Sequence, residues 1–127
     1  MFADPQVILF VADCERAARF YGAIGFVETF RGGGDPPVKI EMLLGGFSLG
    51  LALPGPAAEA HGIEPVTTGH RAVITHWTDD LDAARALALA SGGLNPGDPH
   101  EFLGGALRVT FVEDPDGHPV QLVQRIR

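Results

Sequence analysis

Asp13-Cys14-Glu15-Arg16-Ala17-Ala18-Arg19 and Asp79-Asp80-Leu81-Asp82-Ala83-Ala84-Arg85 are two versions of one pattern, one in each half of a 127-residue chain. Each begins with aspartate, whose carboxylate can accept hydrogen bonds from the unpaired N–H groups of a helix's first turn. In the first copy, Ala17, Phe20, Tyr21 and Ile24 recur at helical spacing, and Gly25 stops the run. In the second, Leu81, Ala84, Leu87 and Ala88 form the stripe, and Gly92-Gly93 stops it. Either Asp79 or Asp80 can cap this helix.

The elements around the two helices repeat as well. Val7 to Val11 is an apolar run that reads as a strand covered on both faces. Phe26 to Phe30, Val38 to Leu44 and Phe47 to Leu53 read as three more strands. Gly32-Gly33-Gly34-Asp35-Pro36-Pro37 is a loop, and Gly45-Gly46 is a hairpin turn. Residues 54–69 carry three prolines and three glycines without a period, which predicts a linker. Beyond it, Arg71 to Trp77 is strand-like, a short strand is expected near Leu94, and Ala106 to Val112 and Pro119 to Val123 are the last strands. Asp114-Pro115-Asp116-Gly117 separates the last pair as a turn. Each half therefore reads βαβββ. Two such units are too small to bury their sheets alone, so they should pair.

Composition narrows the function classes. Hydrophobic residues are 46% and charged residues 20%, which allows a packed core. No apolar run approaches the ~20 residues that a membrane helix needs. The first residues show no signal peptide, and the single cysteine, Cys14, fits a reducing cytoplasm. Net charge is −7 with one lysine, Lys39, so nucleic-acid binding is disfavoured and a cationic small molecule would be attracted. There is no Gly-x-Ser-x-Gly elbow, phosphate-binding glycine loop or cysteine pair.

Val11-Ala12-Asp13-Cys14-Glu15-Arg16-Ala17-Ala18-Arg19-Phe20-Tyr21, followed by Gly25-Phe26, resembles the opening of a known superfamily. Asp114-Pro115-Asp116-Gly117-His118-Pro119-Val120-Gln121-Leu122 is similar to its last hairpin and strand. The superfamily is the vicinal oxygen chelate group, which includes glyoxalases, bleomycin-resistance proteins and extradiol dioxygenases. The resemblance implies an α+β fold of two paired βαβββ modules, with curled mixed sheets around a shared groove. Module 1 would span residues 1–55, the linker 56–69 and module 2 residues 70–127. It also implies a homodimer and a small-molecule ligand, while charge and hydropathy argue against nucleic-acid and membrane partners.

Metal-dependent members of the superfamily place one ligand on each of four strands. The first lies seven residues before the capping aspartate, which gives Gln6. The same count gives Ala72 from Asp79 or Val73 from Asp80, and Asp79 is preferred because it buries Val73, Thr75 and Trp77 beneath the helix. The remaining places fall on Gly50 and Gln121. Two amides without imidazole or carboxylate suit a divalent ion poorly, so no metal and no other cofactor is expected. A bulge could bring His70 into the second-module place instead.

Strand parity then puts Gln6, Ile8 and Phe10, with Ser48, Gly50 and Ala52, on the groove face of module 1. It puts His70, Ala72, Ile74, His76 and Gln121 on the groove face of module 2. The expected ligand-binding set is Gln6, Ile8, Phe10, Ser48, His70, Ile74, His76 and Gln121. Phe30, Phe102 and Phe111 could stack on a flat ligand. His61 and His100 read as surface residues, His118 as a hairpin fastener and Cys14 as an inert helix residue. The leading expectation is a metal-free protein that sequesters an apolar or cationic antibiotic-like compound, resembling the bleomycin-resistance branch. The alternatives are a metal-dependent lyase, isomerase or dioxygenase, and a metal-independent enzyme with His76 as general base.

Overall fold

A computed structural model describes residues 1 and 3–126. The elements run β1 (Gln6–Phe10), α1 (Cys14–Ala23), β2 (Val27–Gly32), β3 (Lys39–Leu44), β4 (Phe47–Ala52), α2 (Pro54–His61), β5 (Ile74–Trp77), α3 (Leu81–Ala90), β6 (His100–Phe102), β7 (Leu107–Glu113) and β8 (Pro119–Arg125). The chain divides into two compact units, Met1–Gly69 and His70–Arg127. Each holds one βαβββ module with its own four-stranded mixed sheet, ordered β1-β4-β3-β2 and β5-β8-β7-β6. No helix among the described residues is long and apolar enough to cross a membrane.

Helices α1 and α3 start where an aspartate can satisfy their first N–H groups. Asp13 Oδ1 accepts from the backbone N–H of Glu15 at 3.0 Å and of Arg16 at 3.1 Å. Asp80 Oδ1 accepts from Ala83 N–H at 3.0 Å. The second cap is thus Asp80, and the sequence count that started from Asp79 is off by one residue. Residues 54–69 are not wholly irregular either. Pro54 begins the eight-residue helix α2, which ends at Gly62 with a φ of 67°. Proline suits that first position because the N–H it lacks would have had no partner there. The predicted strand over Arg71 to Trp77 forms only from Ile74. The strand expected near Leu94 is an isolated bridge to Glu113, with β6 forming later.

In the first unit, α1 packs Ala17, Phe20 and Tyr21, all fully buried, onto its sheet. The sheet answers with Leu9, Ile40, Met42, Leu49 and Leu51, each less than 9% exposed. Edge-to-face ring contacts, 5.0 Å from Phe20 to Tyr21 and 5.7 Å from Tyr21 to Phe26, fix the aromatic packing. Arg31 ties β2 to the helix start by donating to Glu15 at 2.6 Å and to Glu28 at 2.8 Å and 2.9 Å. Cys14 is buried, its thiol 3.5 Å from the Leu51 carbonyl.

In the second unit, Leu81 and Ala88 of α3 are buried on the same side as Thr110, Val112, Val120 and Leu122. Polar bonds confirm which side that is. Leu81 N–H donates to Gln124 Oε1 at 2.9 Å, and Arg108 grips the Asp82 carboxylate at 3.1 Å. Asp114, fully buried, accepts from the N–H groups of Asp116 and His118 at 2.9 Å and meets His118 Nδ1 at 2.7 Å. His118 therefore fastens the β7–β8 hairpin.

Replacing Asp80 by alanine should destabilise the protein by about 1 kcal/mol, because an N-cap bond is lost. Asp79→Ala should stay within about 0.5 kcal/mol, as an exposed residue without a side-chain cap bond. Urea unfolding of the two variants checks both values.

Candidate functional site

A strand offers alternate side chains to alternate faces, and paired residues on neighbouring strands share a face. Each ladder therefore assigns every side chain either to the helix-covered face or to the face opposite, called the open face here. In the first unit, β1 runs parallel to β4 with Gln6 opposite Ser48, Ile8 opposite Gly50 and Phe10 opposite Ala52. These residues share the open face. β3 adds Lys39, Glu41 and Leu43, which pair with Ala52, Gly50 and Ser48. A bulge between Glu28 and Phe30 puts both Val27 and Phe30 on the same face, opposite Leu43 and Glu41.

This face mixes apolar and polar side chains. Ile8, Val27, Phe30 and Leu43 stay 41% to 66% exposed. Between β1 and β4, Gln6 Nε2 donates to Ser48 Oγ at 2.9 Å. The Gln6 carboxamide thereby lies across Gly50. A Cβ at position 50 would come within 3.0 Å of Ile8 Cγ1 and 3.1 Å of Gln6 Oε1. Lys39 Nζ sits 3.0 Å from Oε2 of Glu41, two residues along the same strand. Sequence reading did not single out this ion pair, although the Lys-x-Glu-x-Leu alternation carried its signal.

In the second unit, β5 runs parallel to β8 with Ile74 opposite Val120, Thr75 opposite Gln121, His76 opposite Leu122 and Trp77 opposite Val123. Val120 and Leu122 are buried on the α3 side. Ile74 and His76 therefore point to the helix side, and Thr75 and Trp77 to the open face. This reverses the parity expected from Asp79. His76 is not placed to act as a base on the open face, and Ile74 does not line it. Trp77 is not core: it is 58% exposed, with the Arg125 guanidinium 4.8 Å over its ring. Trp77, Thr78, Asp79 and Arg125 line a cleft of about 430 Å³.

Thr75 Oγ1 donates to Gln121 Oε1 at 2.8 Å, so the Gln121 amide nitrogen keeps its hydrogens for other partners. Phe111 pairs with Gln121 and Glu113 with Pro119, which brings both to the open face. His70 makes no approach to Gln121 in the bonds it forms. Its Nε2 lies 3.1 Å from Glu113 Oε2, while Asn95 Nδ2 donates to Glu113 Oε1 at 2.8 Å. His61 and His100 are exposed.

The corrected cap moves the third ligand place from Ala72 to Val73. The places are now Gln6 and Gly50 in the first unit and Val73 and Gln121 in the second. Neither unit offers imidazole or carboxylate there. Val73 has no donor atom, and the Gln6 carboxamide fills the space over Gly50 that a glutamate side chain would need. Among the described residues, no three His, Cys, Asp or Glu side chains gather as a metal site. These residues do not fit a divalent cation.

Burial holds His76 below the ordinary histidine value of 6.5. The unfolded chain then binds this proton at a pH where the folded chain does not. Stability should fall as pH drops below about 6.5 and stop falling once the folded pKa is passed, with no contribution from this group at higher pH. His76→Gln should remove that part of the acid sensitivity. Urea midpoints of both proteins, measured from about pH 7.5 to pH 5, test this.

Comparisons with known proteins agree on the fold. The family model described as Glyoxalase/Bleomycin resistance protein/Dioxygenase superfamily matches residues 5–122. A lactoylglutathione lyase of Haemophilus influenzae is 27% identical over 128 residues, which span 94% of this chain and 90% of that protein. A crystal structure of a glyoxalase-related enzyme from Fulvimarina pelagi superposes with a TM-score of 0.80 at 24% identity, covering 98% of this chain and 89% of that one. A lactoylglutathione lyase structure from Agrobacterium tumefaciens gives 0.71 at 20% identity, covering 96% and 92%.

Proposed function

Since the chain belongs to the glyoxalase/bleomycin resistance protein/dioxygenase superfamily, we propose that it is a metal-free member that binds a small, flat, apolar or cationic molecule against the open faces of its sheets. The observation that carries this reading is the Gln6 carboxamide, bonded to Ser48 and laid across Gly50. Where a metal-dependent relative would need a carboxylate, this chain has a glycine covered by an amide. On the first unit's face the exposed Ile8, Phe30 and Leu43 supply apolar contact area and Gln6 a directional hydrogen bond; on the second unit's face Trp77 and Gln121 do the same. Apolar surface with a few polar groups is what small-molecule sites need. The net charge of −7 favours a cation over an anion. A homodimer in the cytoplasm that sequesters an antibiotic-like compound belongs to the same proposal.

The second reading is a metal-dependent lyase, favoured by the name of the Haemophilus relative. Elemental analysis separates the two. Protein purified without chelator should hold well under one equivalent of Zn, Ni, Fe or Mn, and near-stoichiometric metal would establish the lyase reading instead. Ligand binding has a direct signal, because Trp77 is the only tryptophan. Titration with bleomycin-type and other flat aromatic antibiotics should quench or shift its fluorescence at micromolar concentration. Gly50→Glu should weaken binding to the first unit's open face, read by calorimetry, roughly tenfold or more, since the larger side chain must displace Gln6 and buries a charge against apolar neighbours. No response from any compound at high micromolar concentration would overturn the proposal.

A further inference from the structure

The His70–Glu113–Asn95 cluster is not needed to explain binding through Gln6 and Gln121. Glu113 sits on the open face of the second sheet, two residues along β7 from Phe111, the partner of Gln121. That is about 7 Å along the strand. Its carboxylate is held at both oxygens, by Asn95 Nδ2 at 2.8 Å and by His70 Nε2 at 3.1 Å. An ionised carboxylate only accepts hydrogen bonds, so the neutral His70 ring must carry its proton on Nε2. The lone pair is then on Nδ1. That nitrogen makes no hydrogen bond among the described residues, and the side chain is 55% exposed. An imidazole fixed in one tautomer by a carboxylate, with its basic nitrogen accessible, is equipped to take a proton.

We propose that His70 is a general base, with Glu113 as its positioning residue, acting on an apolar molecule that carries an acidified C–H bond and rests on the open face of the second sheet. This rests on the reading of that face as the ligand face. In the step, His70 Nδ1 takes the proton. The C–H electron pair becomes a new π bond, and the charge moves to a carbonyl oxygen or another electron-withdrawing atom of the molecule. Gln121 lies on the same face, with its Oε1 occupied by Thr75 and its Nε2 hydrogens facing no protein acceptor among the described residues. It is the donor that can receive the developing charge. His70 then gives the proton to water or returns it to the product. No redox partner enters.

The test uses the full chain and 5-nitrobenzisoxazole, a flat apolar probe. A base removes its ring C–H proton, the C–H pair completes a nitrile, and the N–O bond breaks to release a coloured phenolate. Turnover should exceed that of imidazole at equal concentration. His70→Ala should lower kcat by roughly 10²-fold. The probe's affinity, read from Trp77 quenching, should not change. Glu113→Gln should lower kcat with KM unchanged, which a merely structural role would not do. His100→Ala should turn over as the parent does. Quenching of Trp77 without turnover would overturn the general base and leave the ligand face standing, as would equal losses in the His70 and His100 variants. A probe that neither quenches nor turns over would sink both.

Discussion

Each module depends on the parallel ladder between its first and last strands. β1 lies against β4 and β5 against β8, so the strand that begins a module is locked beside the strand that ends it. A pleated strand has a period of two. Once a ladder is set, every side chain on it is committed to one face, and a shift of one residue reverses them all. In the first unit this commitment sends Leu49 and Leu51 under α1 and leaves Ser48 and Gly50 beneath Gln6. In the second it sends Val120 and Leu122 under α3 and leaves Gln121 bonded to Thr75.

The chemistry of the open faces follows from which residues the ladders leave there. Two carboxamides stand in them, each oriented by a neighbouring hydroxyl. Gln6 donates to Ser48 and offers its oxygen; Gln121 accepts from Thr75 and offers its nitrogen. A glutamine in this arrangement is a hydrogen-bonding group of fixed polarity and no charge. It can orient a neutral ligand without the desolvation cost of a buried ion. The carboxylates of these faces are already engaged, Glu41 with Lys39 and Glu113 with His70 and Asn95. The open faces therefore present apolar surface and amides of fixed polarity, with their carboxylates already paired.

Most of the fold was legible in the sequence because its signals are local. Aspartate caps, glycine stops, apolar stripes and the Asp-Pro-Asp-Gly turn act over a few residues, and their repetition revealed two βαβββ modules. The first-module face was legible too, since one aspartate, Asp13, could cap α1. Two aspartates in succession, Asp79 and Asp80, left the second helix's start open by one residue. That single ambiguity exchanged Thr75 and Trp77 for Ile74 and His76. Helix α2 was hidden because its prolines read as breakers, although proline at a first turn is compatible with a helix.

The sequence by itself determined the module pattern, the acidic charge and the absence of strong metal donors at Gln6, Gly50 and Gln121. The corrected cap exchanges Ala72 for Val73 at the remaining place, and neither side chain carries a donor atom. Only the tertiary structure decided which nitrogen or oxygen each amide offers, and that Glu113 joins His70 across 43 residues of chain to Asn95. Local propensity acts between near neighbours, whereas such bonds form only when the sheet register brings distant residues within 3 Å or so of each other.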